Sequence, residues 1–222
     1  MTRLAVFDCD GTLVDSQASI CTAMVFAFKK SGITPPRDAA IRRIVGLSLV
    51  EAVAMLLPDA ETGLHRRIAA DYKSAFQQMR TDGVVAEPLF DGIAEVLVNL
   101  VEDGWLLGVA TGKSDRGLAL ALAHHGIEGH FVTLQTADRH PSKPHPSMVE
   151  AAMHEAGAVP ADTVVIGDTS YDILMARNAR ARAIGVSWGY HPVDELVAAG
   201  AHAIAKRPAD LPADLMEAMS NA

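Results

Sequence analysis

The chain has 222 residues, which fits one domain or one domain carrying an insertion, and half of them are hydrophobic, which excludes wholesale disorder. Its 19 Lys and Arg against 27 Asp and Glu give a formal charge of -8, which argues against non-specific nucleic-acid binding. Two cysteines are too few for a disulfide framework, and no signal peptide or membrane-length apolar run is found, so we expect a cytoplasmic protein without membrane contact.

Short apolar runs alternate with helical patterns along most of the chain. The runs lie at 4–7, 106–110, 131–134, 163–166 and 183–186, with a weaker one at 201–205. Helical patterns at 91–103, 114–125 and 147–156 are each followed by a glycine. Strands that alternate with helices pair in parallel through right-handed crossovers. The pattern therefore predicts an α/β fold with a Rossmann-like parallel sheet.

The segment after the first strand has a different pattern. Helical stretches are predicted at 16–31, 48–57 and 61–79, and no strand pattern lies among them. The simplest account is an all-helical insertion after the first strand. We therefore predict a Rossmann-like core of residues 1–14 and 83–222, and an all-helical module of residues 15–82.

Polar clusters follow four of the predicted strands. They are Asp-Cys-Asp-Gly-Thr at 8–12, Thr-Gly-Lys at 111–113, Lys-Pro at 143–144 and Gly-Asp-Thr-Ser-Tyr-Asp at 167–172. Ligands of open parallel sheets bind outside the carboxyl ends of the strands, so we expect these clusters to converge. Carboxylates bind a hard cation, while lysine and hydroxyl groups hold phosphate oxygens. The set suits metal-assisted phosphoryl transfer.

The four clusters occur in this order, together with Pro-Ser-Lys-Pro-His-Pro at 141–146 and Gly-Val-Ser-Trp-Gly-Tyr at 185–190. In these motifs the sequence resembles the haloacid dehalogenase-like hydrolase superfamily, in its phosphoglycolate phosphatase and beta-phosphoglucomutase branch. The resemblance covers nearly the whole chain. It implies that residues 1–14 and 83–222 are the catalytic core and that the all-helical module of residues 15–82 is a cap domain inserted after the first strand. It implies a magnesium-dependent enzyme that acts on a small phosphorylated metabolite through an aspartyl-phosphate. The sequence does not indicate an oligomeric state.

The resemblance also implies roles for the first two motifs. Asp8 would be the nucleophile and a ligand of Mg²⁺. Asp10 would be the general acid and base, with its backbone carbonyl on the metal. Thr111 and Gly112 would bind phosphate oxygens, although Gly112 stands where the family usually has Asn. Lys113, the next residue, is interpreted as part of a helix start with Ser114 as N-cap.

The later motifs complete the expected site. Lys143 would neutralise the charge of the nucleophile and of the transferring phosphoryl group, and Asp168 would bind Mg²⁺ directly. Asp172 would be a supporting residue that acts through a metal-bound water or by orienting Lys143. The cap offers few polar candidates for contact with the substrate: Arg42, Arg43, Ser48 and Glu51.

The leading hypothesis is a phosphatase for a small monoester such as phosphoglycolate. Asp10 argues against a dehalogenase, and the absence of lysine around residues 46–48 argues against a phosphonate-cleaving enzyme. A beta-phosphoglucomutase-like mutase, which usually has an arginine where Leu49 stands, and a pyrophosphatase remain alternatives. A non-catalytic phosphate-binding module is disfavoured, because paired buried carboxylates are costly without a metal.

Overall fold

The computed structural model describes residues 2–220, in which six strands form one sheet in the order β3-β2-β1-β4-β5-β6. The strands are β1 Leu4–Phe7, β2 Leu106–Thr111, β3 Phe131–Thr136, β4 Thr163–Gly167, β5 Arg182–Val186 and β6 Ala203–Ala205. All pairings are parallel. The predicted Rossmann-like sheet is therefore confirmed, and every predicted strand is present.

The helices surround the sheet or follow β1. They are α1 Gln17–Lys30, α2 Asp38–Arg42, α3 Leu49–Leu56, α4 Thr62–Thr81, α5 Ile93–Glu102, α6 Asp115–His125, α7 Ser147–Ala156, α8 Ser170–Asn178, α9 Val193–Ala198 and α10 Leu211–Ser220. Between residues 2 and 220, no helix is long and apolar enough to span a membrane.

The central strand β1 is buried on both faces, as its uninterrupted apolar sequence requires. Ala5 and Phe7 pack into one core cluster, which includes residues of α5 and β2. Leu4 and Val6 pack into a second cluster, which includes residues of α7 and α8. Alternation along the strand thus divides the core between the two faces of the sheet. It also fixes the position of the polar residues that follow Phe7.

The segment between β1 and α5 contains α1 to α4 and no sheet strand, which confirms the all-helical insertion. These helices share an apolar cluster of their own, which includes Met24, Phe28, Ile41, Val53 and Ile68. Packing among the helices therefore holds this segment, called the helical insert below, with little help from the sheet.

The two chain segments that join the helical insert to the sheet lie side by side. Asp15 N donates to Pro88 O at 2.8 Å, and Phe90 N donates to Leu13 O at 3.1 Å. Val14 and Leu89 form an antiparallel bridge between them. Movement of the insert relative to the sheet would therefore act on both segments together.

Candidate active site

The carboxyl ends of β1, β3 and β4 bring four predicted site residues into one buried cluster. Lys143 Nζ lies 2.8 Å from Asp8 Oδ1 and 2.6 Å from Asp172 Oδ1. Carboxylate oxygens of Asp8, Asp168 and Asp172 lie within 4.8 Å of one another. None of these four residues is more than 2% exposed. The convergence expected from the parallel sheet is therefore present for these residues.

The cluster holds three carboxylates against one ammonium group. Burial raises the pKa of Asp8 to about 7, although Lys143 opposes the rise. Burial, together with the charges of Asp8 and Asp172, raises the pKa of Asp168 well above its ordinary value. Burial lowers the pKa of Lys143, but the carboxylates of Asp172 and Asp8 outweigh this and raise it. Ionisation of all three carboxylates would therefore leave negative charge that Lys143 alone does not neutralise, and the raised pKa values of Asp8 and Asp168 express this cost.

The unsatisfied oxygens of this cluster fit a divalent cation. Both carboxylate oxygens of Asp8 are buried. Among the described residues, Oδ1 lies 2.8 Å from the Lys143 ammonium group, and Oδ2 has no hydrogen-bond partner. Asp168 is held in place, because Thr12 Oγ1 donates to its Oδ1 at 3.0 Å and Tyr190 N donates to its Oδ2 at 2.9 Å. Hard cations such as Mg²⁺ take carboxylate oxygens of this kind.

Asp172 differs from Asp8 because both of its oxygens accept hydrogen bonds. Its Oδ1 accepts from Lys143 Nζ at 2.6 Å. Its Oδ2 accepts from Thr169 N at 3.1 Å and from Thr169 Oγ1 at 2.7 Å, in a capping box at the start of α8. Of the two roles expected for Asp172, these contacts favour orienting Lys143.

Asp10 lies in a second group of charges, which extends to the helical insert. Its Oδ1 accepts from Ser16 Oγ and lies 2.9 Å from Lys113 Nζ. Lys113 Nζ also lies 2.7 Å from Glu87 Oε1, and Arg80 Nη2 of α4 lies 2.5 Å from Glu87 Oε2. An alternating series of charges, called the Asp10–Arg80 series below, thus connects Asp10 to the helical insert.

Lys113 therefore has contacts that its position at a helix start does not predict. Ser114 is the N-cap of α6 as expected, because its Oγ accepts from Gly117 N at 3.1 Å. The Lys113 side chain, however, is largely buried between two carboxylates, of which Glu87 was not identified from the sequence. Ser16 and Arg80 of the Asp10–Arg80 series were also missed, and no motif in the sequence marks them.

Thr111 and Gly112 lie at the end of β2, under a loop of the helical insert. Thr111 is fully buried, and its Oγ1 accepts from Lys113 N at 3.2 Å. A Cβ atom at Gly112 would lie 2.5 Å from Leu47 O, so the loop rests directly on the glycine. Close backbone packing at this point explains why the asparagine expected from the resemblance is replaced by Gly112.

A second contact holds the same loop over the site. Ser48 N donates to Ser142 Oγ at 2.8 Å, next to Lys143. The helical insert therefore covers the cluster from both the β2 side and the β3 side.

The polar candidates of the helical insert do not contact the carboxylate cluster. Arg43 Nη1 pairs with Glu195 at 2.5 Å, and Ser48 Oγ donates to Glu51. Arg42 Nη1 donates to Gln17 Oε1 at 2.6 Å. Arg42 also lines a cavity of about 290 Å³ with Trp188 and Tyr190, near Ser16.

Sequence and structure comparisons agree on the family. The family model for haloacid dehalogenase-like hydrolases matches residues 5–186. The chain belongs to this family. It is 36% identical over 205 residues to the probable phosphatase IndB of Dickeya dadantii, covering 90% of this chain and 87% of that protein.

Two further comparisons extend over similar lengths. The hydrolase is 27% identical over 204 residues to a phosphoglycolate phosphatase of Vibrio vulnificus, covering 88% of each chain. A solved structure of a predicted phosphatase from Clostridium acetobutylicum matches with a TM-score of 0.88 at 25% identity, covering 98% of this chain and 99% of that one. The family that the motifs indicated is thereby confirmed.

Proposed function

We propose that this hydrolase is a magnesium-dependent phosphatase, which moves the phosphoryl group of a small monoester first to Asp8 and then to water. The observation that carries the proposal is the state of Asp8. Its two oxygens are buried, Oδ1 lies 2.8 Å from the Lys143 ammonium group, and Oδ2 accepts no hydrogen bond from the described residues. A carboxylate held in this way is available both to a cation and to an electrophilic phosphorus.

In the first half-reaction, one Asp8 oxygen forms a bond to phosphorus as the bond from phosphorus to the leaving oxygen breaks. Lys143 neutralises negative charge on the nucleophile and on the phosphoryl oxygens, and Asp172 holds Lys143 in position. Thr111 and the backbone at Gly112 hold phosphate oxygens. Asp8, Asp168 and the Asp10 carbonyl would hold Mg²⁺, which supplies further charge stabilisation when bound.

Asp10 serves the proton transfers. Its Oδ1 is engaged by Ser16 and lies beside Lys113, which leaves Oδ2 as the atom that carries the proton. Asp10 gives this proton to the leaving alkoxide and then takes one from the water that attacks phosphorus. The second attack releases phosphate and regenerates the Asp8 carboxylate.

The substrate we propose is a small anionic monoester such as phosphoglycolate. The helical insert acts as a cap domain of residues 15–82 over a core of residues 1–14 and 83–222. Its loop rests directly on Gly112 at the end of β2, and this close contact supports a small substrate. Arg42 supplies a cation for a substrate carboxylate. The similarity to a phosphoglycolate phosphatase supports this choice.

The test is phosphate release from a panel of esters, with magnesium and with excess chelator. We expect activity with magnesium only, and the highest kcat/KM with phosphoglycolate. A preference for pyrophosphate, a nucleoside monophosphate or beta-glucose 1-phosphate would contradict the substrate, and full activity in chelator would contradict the metal. Conversion of a hexose 1-phosphate to its 6-phosphate, with little release of phosphate, would contradict the hydrolytic reaction in favour of a mutase.

A further inference from the structure

A second cavity, of about 440 Å³, lies at the edge of the sheet opposite the active site. The active site is at the carboxyl ends of the strands, whereas this cavity is at the amino ends of β4, β5 and β6. Its polar lining consists of four basic residues. Arg177 lies at the end of α8 and Arg180 just after it, Arg182 lies at the start of β5, and His202 lies just before β6. The cavity that these four residues line is called the basic cavity below.

Within residues 2–220, the arginines of the basic cavity have no carboxylate partner. Among residues 2–220, no Asp or Glu oxygen lies within 4.0 Å of Arg177, Arg180 or Arg182. Arg182 contacts only neutral acceptors in this part of the chain, the carbonyl of Ala161 and Met219 Sδ. Three guanidinium groups without a carboxylate partner among the described residues thus surround one cavity in a chain of net charge -8. Arg177 and Arg180 are exposed to solvent, and an anion between the three groups would offset their mutual repulsion.

His202 of the basic cavity also lacks a hydrogen-bond acceptor for its ring N–H among the described residues. Ala183 N donates to His202 Nδ1 at 3.0 Å, so the neutral ring carries its proton on Nε2. That Nε2 lies 3.3 Å from Arg177 Nη1, which is also a donor. Two donors thus face one another without an acceptor between them among the described residues. Burial and the charges of Arg177 and Arg182 lower the pKa of His202, which agrees with this surplus of positive charge.

The backbone conformation of Arg180 also supports a role for the basic cavity. Its φ is 60°, and it is the one non-glycine residue with a positive φ in the described chain, where every other such position is glycine. Arg180 takes the left-handed position that ends α8, where Ala181 N donates to Ala176 O at 2.9 Å. Glycine is the usual residue at such a position, because a side chain makes this backbone conformation less favourable. The guanidinium group of Arg180 is thus added to the cavity at the expense of a relaxed backbone.

We propose that the basic cavity binds a phosphate dianion, either free inorganic phosphate or the phosphate group of a small metabolite. A phosphate offers several acceptor oxygens at once, which suits the guanidinium groups and the Nε2–H of His202. The cavity is larger than one phosphate group requires, which leaves space for an organic substituent. The site lies outside the catalytic cluster, so the proposal does not depend on the proposed phosphatase activity.

The test follows the backbone amide signals of Arg182, Ala183 and His202 by NMR during titration with phosphate, in chelator and at constant ionic strength. These amides report on the basic cavity alone, because phosphate at Lys143 would shift signals at the opposite edge of the sheet. Arg180→Gly removes the guanidinium group and also relieves the backbone, so this variant should keep or raise the thermal transition. Arg177→Gln removes a second cation, and Arg116→Gln on α6 is an exposed control.

We expect saturable shifts in the wild-type protein, an apparent affinity about ten-fold weaker in Arg180→Gly and in Arg177→Gln, and no change in Arg116→Gln. Methylphosphonate distinguishes the sources of the anion. Binding of phosphate alone assigns the site to the free ion, and binding of both compounds assigns it to a phosphorylated metabolite. Shifts that do not saturate, or equal affinities in the wild-type protein and Arg180→Gly, would overturn the proposal.

Discussion

Replacing Gly112 with alanine tests whether the loop of the helical insert must rest on the core for turnover. Gly112 has no positive φ, so alanine is compatible with its backbone. The added Cβ, however, would lie 2.5 Å from Leu47 O and 2.8 Å from Gly46 O, both of which are backbone atoms. Since ordinary contacts are about 3.5 Å, the loop must retreat by roughly 1 Å.

A retreat of this size has a calculable consequence for catalysis. A displacement of about 1 Å at a closing element costs up to about 10²-fold in rate, so kcat/KM for a small monoester should fall about 10- to 100-fold. The site also becomes more open. The ratio of activity on a bulky ester to activity on a small one should therefore rise.

The assay is steady-state kinetics with phosphoglycolate and with a nucleoside monophosphate. Gly63→Ala is the matched control, because Gly63 lies in α4 without a positive φ and has nothing within 4 Å of the position that a Cβ atom would take. We expect its kinetics to equal those of the wild-type enzyme. If Gly112→Ala retained full kcat/KM with an unchanged substrate ratio, close contact between loop and core would not be needed for turnover.

Three further perturbations probe the charged groups. Asp10→Asn should lower turnover about 10²–10⁴-fold on an alkyl phosphate and less on nitrophenyl phosphate, whose leaving group needs no proton; equal losses would exclude Asp10 as the acid. Glu87→Gln leaves Lys113 and Arg80 without their shared carboxylate and should lower the free energy of unfolding, measured by urea denaturation, by about 3 kcal/mol. Asp71→Asn, at the pair with the exposed Lys30, should change it by less than about 1 kcal/mol, and similar losses in the two variants would refute the importance of burial. Because the pKa of Asp8 rises from 3.8 to about 7 on folding, ionisation of Asp8 destabilises the metal-free protein increasingly from pH 4 to 7. Asp8→Asn should therefore raise Tm more at pH 8 than at pH 5, and the reverse order would contradict the pKa shift.

The sheet could be predicted because buried parallel strands have continuous apolar sequences, and β1 is the clearest case. The longer helices were predicted from their periodicity. The short helices α2 and α9 were not, because five and six residues do not establish a helical period. No helical stretch was predicted for α8 or for the terminal helix α10 either.

The candidate site was predictable to the extent that its residues follow strands. Asp8 and Asp168 do so directly, and a parallel sheet brings such positions together whatever the intervening sequence. Glu87 and Ser16 lie on the two segments that join the helical insert to the sheet. Their approach to Lys113 and Asp10 depends on how the insert packs, which periodicity and motifs do not describe.

Covalent capture of the phosphoryl group tests the central claim most directly. The enzyme would be mixed with magnesium and a radiolabelled small monoester, quenched in acid during turnover and digested for mass spectrometry. We predict an acid-stable, hydroxylamine-sensitive phosphoryl group on the peptide that contains Asp8, and none in Asp8→Asn or in excess chelator. Label on any other residue, or release of phosphate by the Asp8→Asn variant at the wild-type rate, would contradict Asp8 as the nucleophile.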